Sequence, residues 1–108
     1  MKTISHVKIK VIDDQERILE HFYIRAKKWD DPAGKVEESE KYTTAAKREL
    51  LERTGYAVEE ADLIFAYDEE TDGIIFRFFT TEKIKLKQKA KPGELGGYAT
   101  TIRWIRKS

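Results

Sequence analysis

The chain has 108 residues, balances 21 Lys and Arg against 20 Asp and Glu, and contains no cysteine. That length suits one domain, and the lack of cysteine excludes a disulfide scaffold, a zinc–thiolate centre and a thiol nucleophile. A net charge of +1 argues against non-specific nucleic-acid binding as the main task, and with no membrane-length apolar run or signal-peptide pattern a cytoplasmic domain is expected.

Val7, Ile9 and Val11 alternate with His6, Lys8 and Lys10, the period of a half-buried strand. Asp13, Asp14 and Gln15 supply turn chemistry. A second alternation follows, with Ile18, Glu20, Phe22 and Ile24 on one face and Leu19, His21 and Tyr23 on the other, and the two runs together predict an antiparallel hairpin. Periodicity stops from Lys27 to Ser39, which predicts a loop. Tyr42 to Thr54 is rich in Ala, Leu, Lys, Arg and Glu with no Pro or Gly, so it predicts a helix, and Gly55 stands where a C-terminal glycine belongs. Leu63 to Tyr67 predicts a short strand, Asp68 to Gly73 an acidic turn, and Ile74 to Thr81 a strong strand with Phe76 and Phe78 in the core. The lysines that alternate from Lys83 to Lys91 are read as protection for an edge strand, with a phosphate- or RNA-binding strip as the alternative. Tyr98 to Ile105 predicts the last strand. Strands, one helix, then strands give an α+β domain over residues 1–108 with a mixed or antiparallel sheet. Both histidines, His6 and His21, are expected to face solvent away from any site.

The segment from Gly34 to Tyr56 carries the chemistry. Glu49, Glu52 and Arg53 fall at i, i+3 and i+4 on one helix face, with Arg48 four residues before Glu52. Ala46 and Leu50 form another stripe, suited to packing on a sheet. Upstream, Gly34 opens a loop with Glu37, Glu38 and Glu40. Acids that converge in this way suit a hard cation such as Mg²⁺, which takes oxygen ligands together with substrate phosphates. The plain alternative for the same charges is a solvated helix face.

Gly34, five residues, Glu40, seven residues, then Arg48-Glu49-Leu50-Leu51-Glu52-Arg53-Thr54-Gly55-Tyr56 closely resembles the Nudix box, over residues 34–56. The lead-in from Trp29 through Pro32, Ala33, Gly34 and Lys35 is similar to that of the family, as is the late Arg103-Trp104-Ile105. The resemblance implies a Nudix fold, a mixed sheet crossed at one end by a loop–helix–loop, here without the usual C-terminal helix. It implies hydrolysis of a nucleoside diphosphate linked to another group, with Mg²⁺ or Mn²⁺ held by box glutamates. Position by position, Glu49 and Glu52 match metal-site glutamates, Glu40 matches the glutamate that supports the site and pairs with Arg48, and the Ala33 carbonyl matches one that reaches the metal. Glu94, in the loop before the last strand, is the candidate for a further acid.

Two departures qualify that picture. Arg53 stands where the family has a metal-binding glutamate; a guanidinium only donates and repels a cation, by about 4 kcal/mol per unit charge at 4 Å and an effective dielectric near 20. Ala33 replaces the first glycine of a pair, which is costly if that position needs a positive φ. Two readings stay open: a metal-dependent hydrolase acting on a small nucleotide-like substrate, or a catalytically inactive module of the same fold that binds a nucleotide or a protein partner. A sheet face left bare without a C-terminal helix favours a homodimer.

Overall fold

In the computed structural model, which describes residues 3–106, the first strand sets the architecture. β1 (His6–Lys10) buries Val7 and Ile9 completely and leaves Lys8 and Lys10 on its other face. It pairs antiparallel with β4 (Ala33–Lys35) on one edge and parallel with β7 (Ile74–Thr80) on the other. β6 (Ile64–Thr71) completes a mixed four-stranded sheet in the order β4-β1-β7-β6. A second, antiparallel sheet has the order β3-β2-β9, from β3 (Lys28–Asp30), β2 (Arg17–Tyr23) and β9 (Ile102–Arg106). β5 (Tyr56–Ala57) and β8 (Lys87–Gln88) form a short ribbon beside them.

The predicted hairpin of the first two runs survives only at its base. The buried Asp13 carboxylate accepts the backbone N–H groups of Gln15 and Arg17 and pairs with the Arg17 guanidinium, which closes the turn. Leu19 N–H then bonds the Val11 carbonyl at 3.1 Å and Ile12 bridges Ile18. Beyond that point the strands part, because a strand has two edges and both edges of β1 are already filled by β4 and β7. The expected loop from Lys27 to Ser39 also proves to hold two strands, each of three residues, which link the sheets. The acidic turn is shorter than expected: Asp68 to Thr71 continue β6, and Asp68 pairs across to Arg77 through two hydrogen bonds of 2.9 and 3.0 Å.

The helix α1 runs over Tyr42–Thr54, as predicted, and Gly55 adopts φ +79° at its end. Ala45, Ala46 and Leu50 bury against Val7, Ile9, Val11, Leu19 and Phe79 in the core. Phe79, rather than Phe76 or Phe78, is the β7 aromatic in that core. The two expected there lie half-buried on the opposite face, Phe78 stacked on Tyr67 at 4.5 Å and Phe76 against His6 at 5.1 Å. Of the lysines from Lys83 to Lys91, only Lys87 is in a strand, the two-residue edge β8. α1 is the one α-helix among the described residues, and no described helix is long and apolar enough to cross a membrane.

Candidate active site

The loop after β4 meets one face of α1 through a single side chain. Arg48 donates from Nε and Nη2 to the two oxygens of Glu40 at 2.8 and 2.9 Å, a paired fork-to-carboxylate contact. Nη2 also donates to the Lys35 carbonyl at 2.9 Å, and Nη1 donates to Glu49 Oε1 at 2.9 Å while lying 3.5 Å from both Glu52 oxygens. Glu40 accepts the Glu37 N–H as well, which ties the loop back on itself. The Arg48 guanidinium holds the Glu40 carboxyl below its ordinary range, and Glu40 in turn is the main reason that Arg48 is raised. Three of the four side chains singled out by the box spacing, Glu40, Glu49 and Glu52, thus converge on the fourth.

Gly34 is a glycine for reasons of space. A Cβ built there would lie 1.9 to 2.4 Å from the carboxylate end of Glu49, so the buried Glu49 side chain rests directly on the Gly34 backbone. Ala33 sits in β4 and is not among the residues with a positive φ, so the alanine in place of glycine costs nothing here.

Arg53 Nε donates to the second Glu49 oxygen, Oε2, at 3.0 Å. Glu49 therefore has one guanidinium on each oxygen, and three carboxylates share two arginines. Arg48 Nη1 touches Glu49 and lies 3.5 Å from Glu52, so the point where these two carboxylates meet is filled by a guanidinium nitrogen. Mg²⁺ commonly takes one or two carboxylates and completes its shell with water and substrate phosphate; here both Glu49 oxygens are held by guanidinium groups, Oε1 by Arg48 and Oε2 by Arg53. No group of three or more His, Asp or Glu side chains with metal-binding geometry occurs among the described residues. Glu94 is not brought to this point: its carboxylate accepts the Lys91 N–H at 2.9 Å, within its own turn.

That turn nevertheless docks on the helix end. Gly93 N–H bonds the Arg53 carbonyl and Lys89 N–H bonds the Gly55 carbonyl, so Tyr98 comes beside the box. Arg53 lies 5.9 Å from the Tyr98 ring centre. Burial raises the Tyr98 hydroxyl above its usual range, and the nearby Glu49 and Glu52 charges add to that against the pull of Arg53. A cavity of about 300 Å³ opens here, bounded by the end of β2, Arg53 and the stretch from Tyr98 to Thr100. His21, expected in solvent far from the box, is 4% exposed in its wall. Burial and then the Arg53 charge lower its pKa to about 4. No spacing signal announces His21, Tyr98 or Thr100, since they reach the site from two segments far from the box in the chain; the alternation that puts His21 on the face of the apolar Leu19 is the one hint for His21.

Comparison with known proteins gives the family and the fold. The family model described as NUDIX domain matches residues 5–107. A MutT structure from work on the Aliivibrio salmonicida and Vibrio cholerae proteins is similar at 26% identity and a TM-score of 0.70, covering 98% of this chain and 80% of that one. The Escherichia coli ORF135 protein shares the fold at 20% identity and a TM-score of 0.67, over 98% and 75% of the two chains. A structure described as an ADP compounds hydrolase shares it at 16% identity and a TM-score of 0.70, over 94% of this chain and 56% of the other. The sequence has no significant match among curated proteins.

Proposed function

Because the chain belongs to the Nudix family, we propose that it hydrolyses a diphosphate linkage in a small nucleoside diphosphate derivative, with Mg²⁺ or Mn²⁺ as cofactor. One observation carries the reading: a single guanidinium, Arg48, gathers Glu40, Glu49, Glu52 and the Lys35 carbonyl into one place. Glu49 and Glu52 would hold the ion, with the Ala33 carbonyl as a further ligand. Such an ion polarises phosphoryl oxygens and offsets charge at the transferring phosphorus. Arg48 orients the glutamates, Glu40 keeps Arg48 in position, and the Lys35 carbonyl ties Arg48 to the end of β4. For Glu94 to join them, its carboxylate has to leave the Lys91 N–H. A cytoplasmic location, and a homodimer formed over the face that carries Phe76, Phe78 and Tyr67, belong to the same proposal.

A second reading is favoured by the Arg53–Glu49 pair: a module that binds the nucleotide without cleaving it, since Arg53 repels a cation at Glu49. Both readings meet in one assay, phosphate release from a panel of nucleoside diphosphate derivatives with Mg²⁺ or Mn²⁺. Hydrolysis predicts turnover that falls by about 100-fold or more in Glu52→Gln, the scale for loss of a group that acts in the transition state. Under the same reading Arg53→Glu raises the rate. Absence of release from every panel member, with thermal stabilisation by the same nucleotides, overturns hydrolysis in favour of the binding module.

A further inference from the structure

The cavity beside Arg53 has two charged side chains in its lining, Arg25 and Arg53, and no carboxylate. Arg53 is paired with Glu49 outside the lining, so the wall itself carries positive side chains only. Arg53 spends only its Nε–H on Glu49; its two terminal nitrogens have no hydrogen-bond partner among the described residues. Those nitrogens form the end-on edge of the guanidinium, the edge that grips a phosphate through two parallel bonds. An anion can therefore take that edge while Nε stays on Glu49.

A buried imidazole also forms part of the cavity wall. His21 is nine-tenths buried in the cavity wall, its Nε2 meets the Thr100 hydroxyl, and its Nδ1 has no partner. Most of the remaining lining is apolar, including Phe22 and Ile24, which suits a ligand with an apolar or ring-shaped body and one anionic end.

We propose that this cavity binds the phosphoryl end of a phosphorylated ligand without a divalent ion, with the terminal nitrogens of Arg53 as its anchor and Arg25 as a second cation. The proposal rests on the diphosphate reading above for its class of ligand. It reverses the role of the helix position concerned: a side chain that would hold a cation by accepting becomes one that holds the anion by donating. Metal-free phosphate capture then precedes any reaction at Glu49 and Glu52, with Arg53 Nε still on Glu49 Oε2.

The test is calorimetric titration of the full chain with inorganic pyrophosphate and, separately, adenosine monophosphate, each in EDTA and in Mg²⁺. Binding of at least one probe in EDTA is expected with a Kd within about threefold of its Mg²⁺ value. Arg53→Gln weakens that binding about tenfold or more, and Arg53→Lys, which keeps the charge and loses the fork, weakens it less. Lys85→Gln, on the exposed lysine-rich stretch, leaves it unchanged. Binding that requires Mg²⁺, Arg53→Gln binding as tightly as the parent in EDTA, or loss in Lys85→Gln overturns the proposal. Thermal melts confirm that each variant is folded, and Arg53→Lys carries the comparison if Arg53→Gln is not. Phosphate release is not read in EDTA, so failure of hydrolysis with Mg²⁺ and failure of this cavity are separate results.

Discussion

Gly34 and Glu49 illustrate how one residue type enforces the position of another. With the Glu49 carboxylate within 2.4 Å of where a Cβ would stand, Gly34→Ala has to push the glutamate out of its pairs with Arg48 and Arg53. Overpacking of this kind costs about 1–3 kcal/mol, and a urea titration should read that loss; stability equal to the parent would show that Glu49 does not rest on the loop. His21 makes a second residue-scale prediction. Its pKa falls from 6.5 unfolded to about 4 folded, so between those values the unfolded chain binds more protons and stability drops as the pH falls. The contribution is complete above pH 6.5 and lost by about pH 4, at most about 3 kcal/mol. His21→Gln should flatten the stability profile across that window, measured by denaturant unfolding at pH 7.5 and 5. An unchanged slope would place the imidazole in solvent. Glu40 and Asp13, both held low by arginine, add acid sensitivity of the same sign at lower pH.

At the scale of elements, α1 was readable to the residue, because its helix formers run unbroken into Gly55. That glycine serves twice: its φ of +79° favours glycine, and a Cβ there would meet the Ala90 carbonyl at 2.0 Å. Asparagine tolerates this backbone region at other helix ends, yet the clash applies to any Cβ. Gly55→Asn should therefore destabilise as much as Gly55→Ala, and a clear rescue by asparagine in thermal melts would mean that the turn from Lys89 to Gly93 is not docked on the helix. The same turn explains why the site was only half legible. The box residues are local and their spacing exposes them, whereas Tyr98, Thr100 and His21 arrive through long-range pairing that no short window carries. β3 and β4 escaped notice because three residues cannot display a period of two. Asp68 of β6 reads as part of a turn because its partner, Arg77, lies across the hairpin.

For the molecule as a whole, the alternating runs showed which side chains go inside but not which strands meet. Val7, Ile9, Leu19 and Leu50 were all identifiable as apolar faces, and all are fully buried. The pairing of β1 with β7 across more than sixty residues was not, since hydrophobic alternation fixes a face and leaves the neighbour open. The result is two sheets joined at the Asp13 turn, with the box helix against one face of the larger sheet and the cavity near the helix's C-terminal end. A face carrying Lys8, Lys10, Tyr67 and Phe78 lies on the other side of that sheet, beside a second hollow of about 550 Å³. The proposed function puts the ligand at the box rather than in that hollow. Titration of the ¹⁵N-labelled chain with ADP and Mg²⁺, followed by amide chemical shifts, tests it directly. Binding at the box gives the largest shifts from Gly34 to Glu40, from Arg48 to Arg53 and from Tyr98 to Thr100; shifts confined to β6, β7 or the lysines from Lys83 to Lys91 would mean that the ligand binds elsewhere.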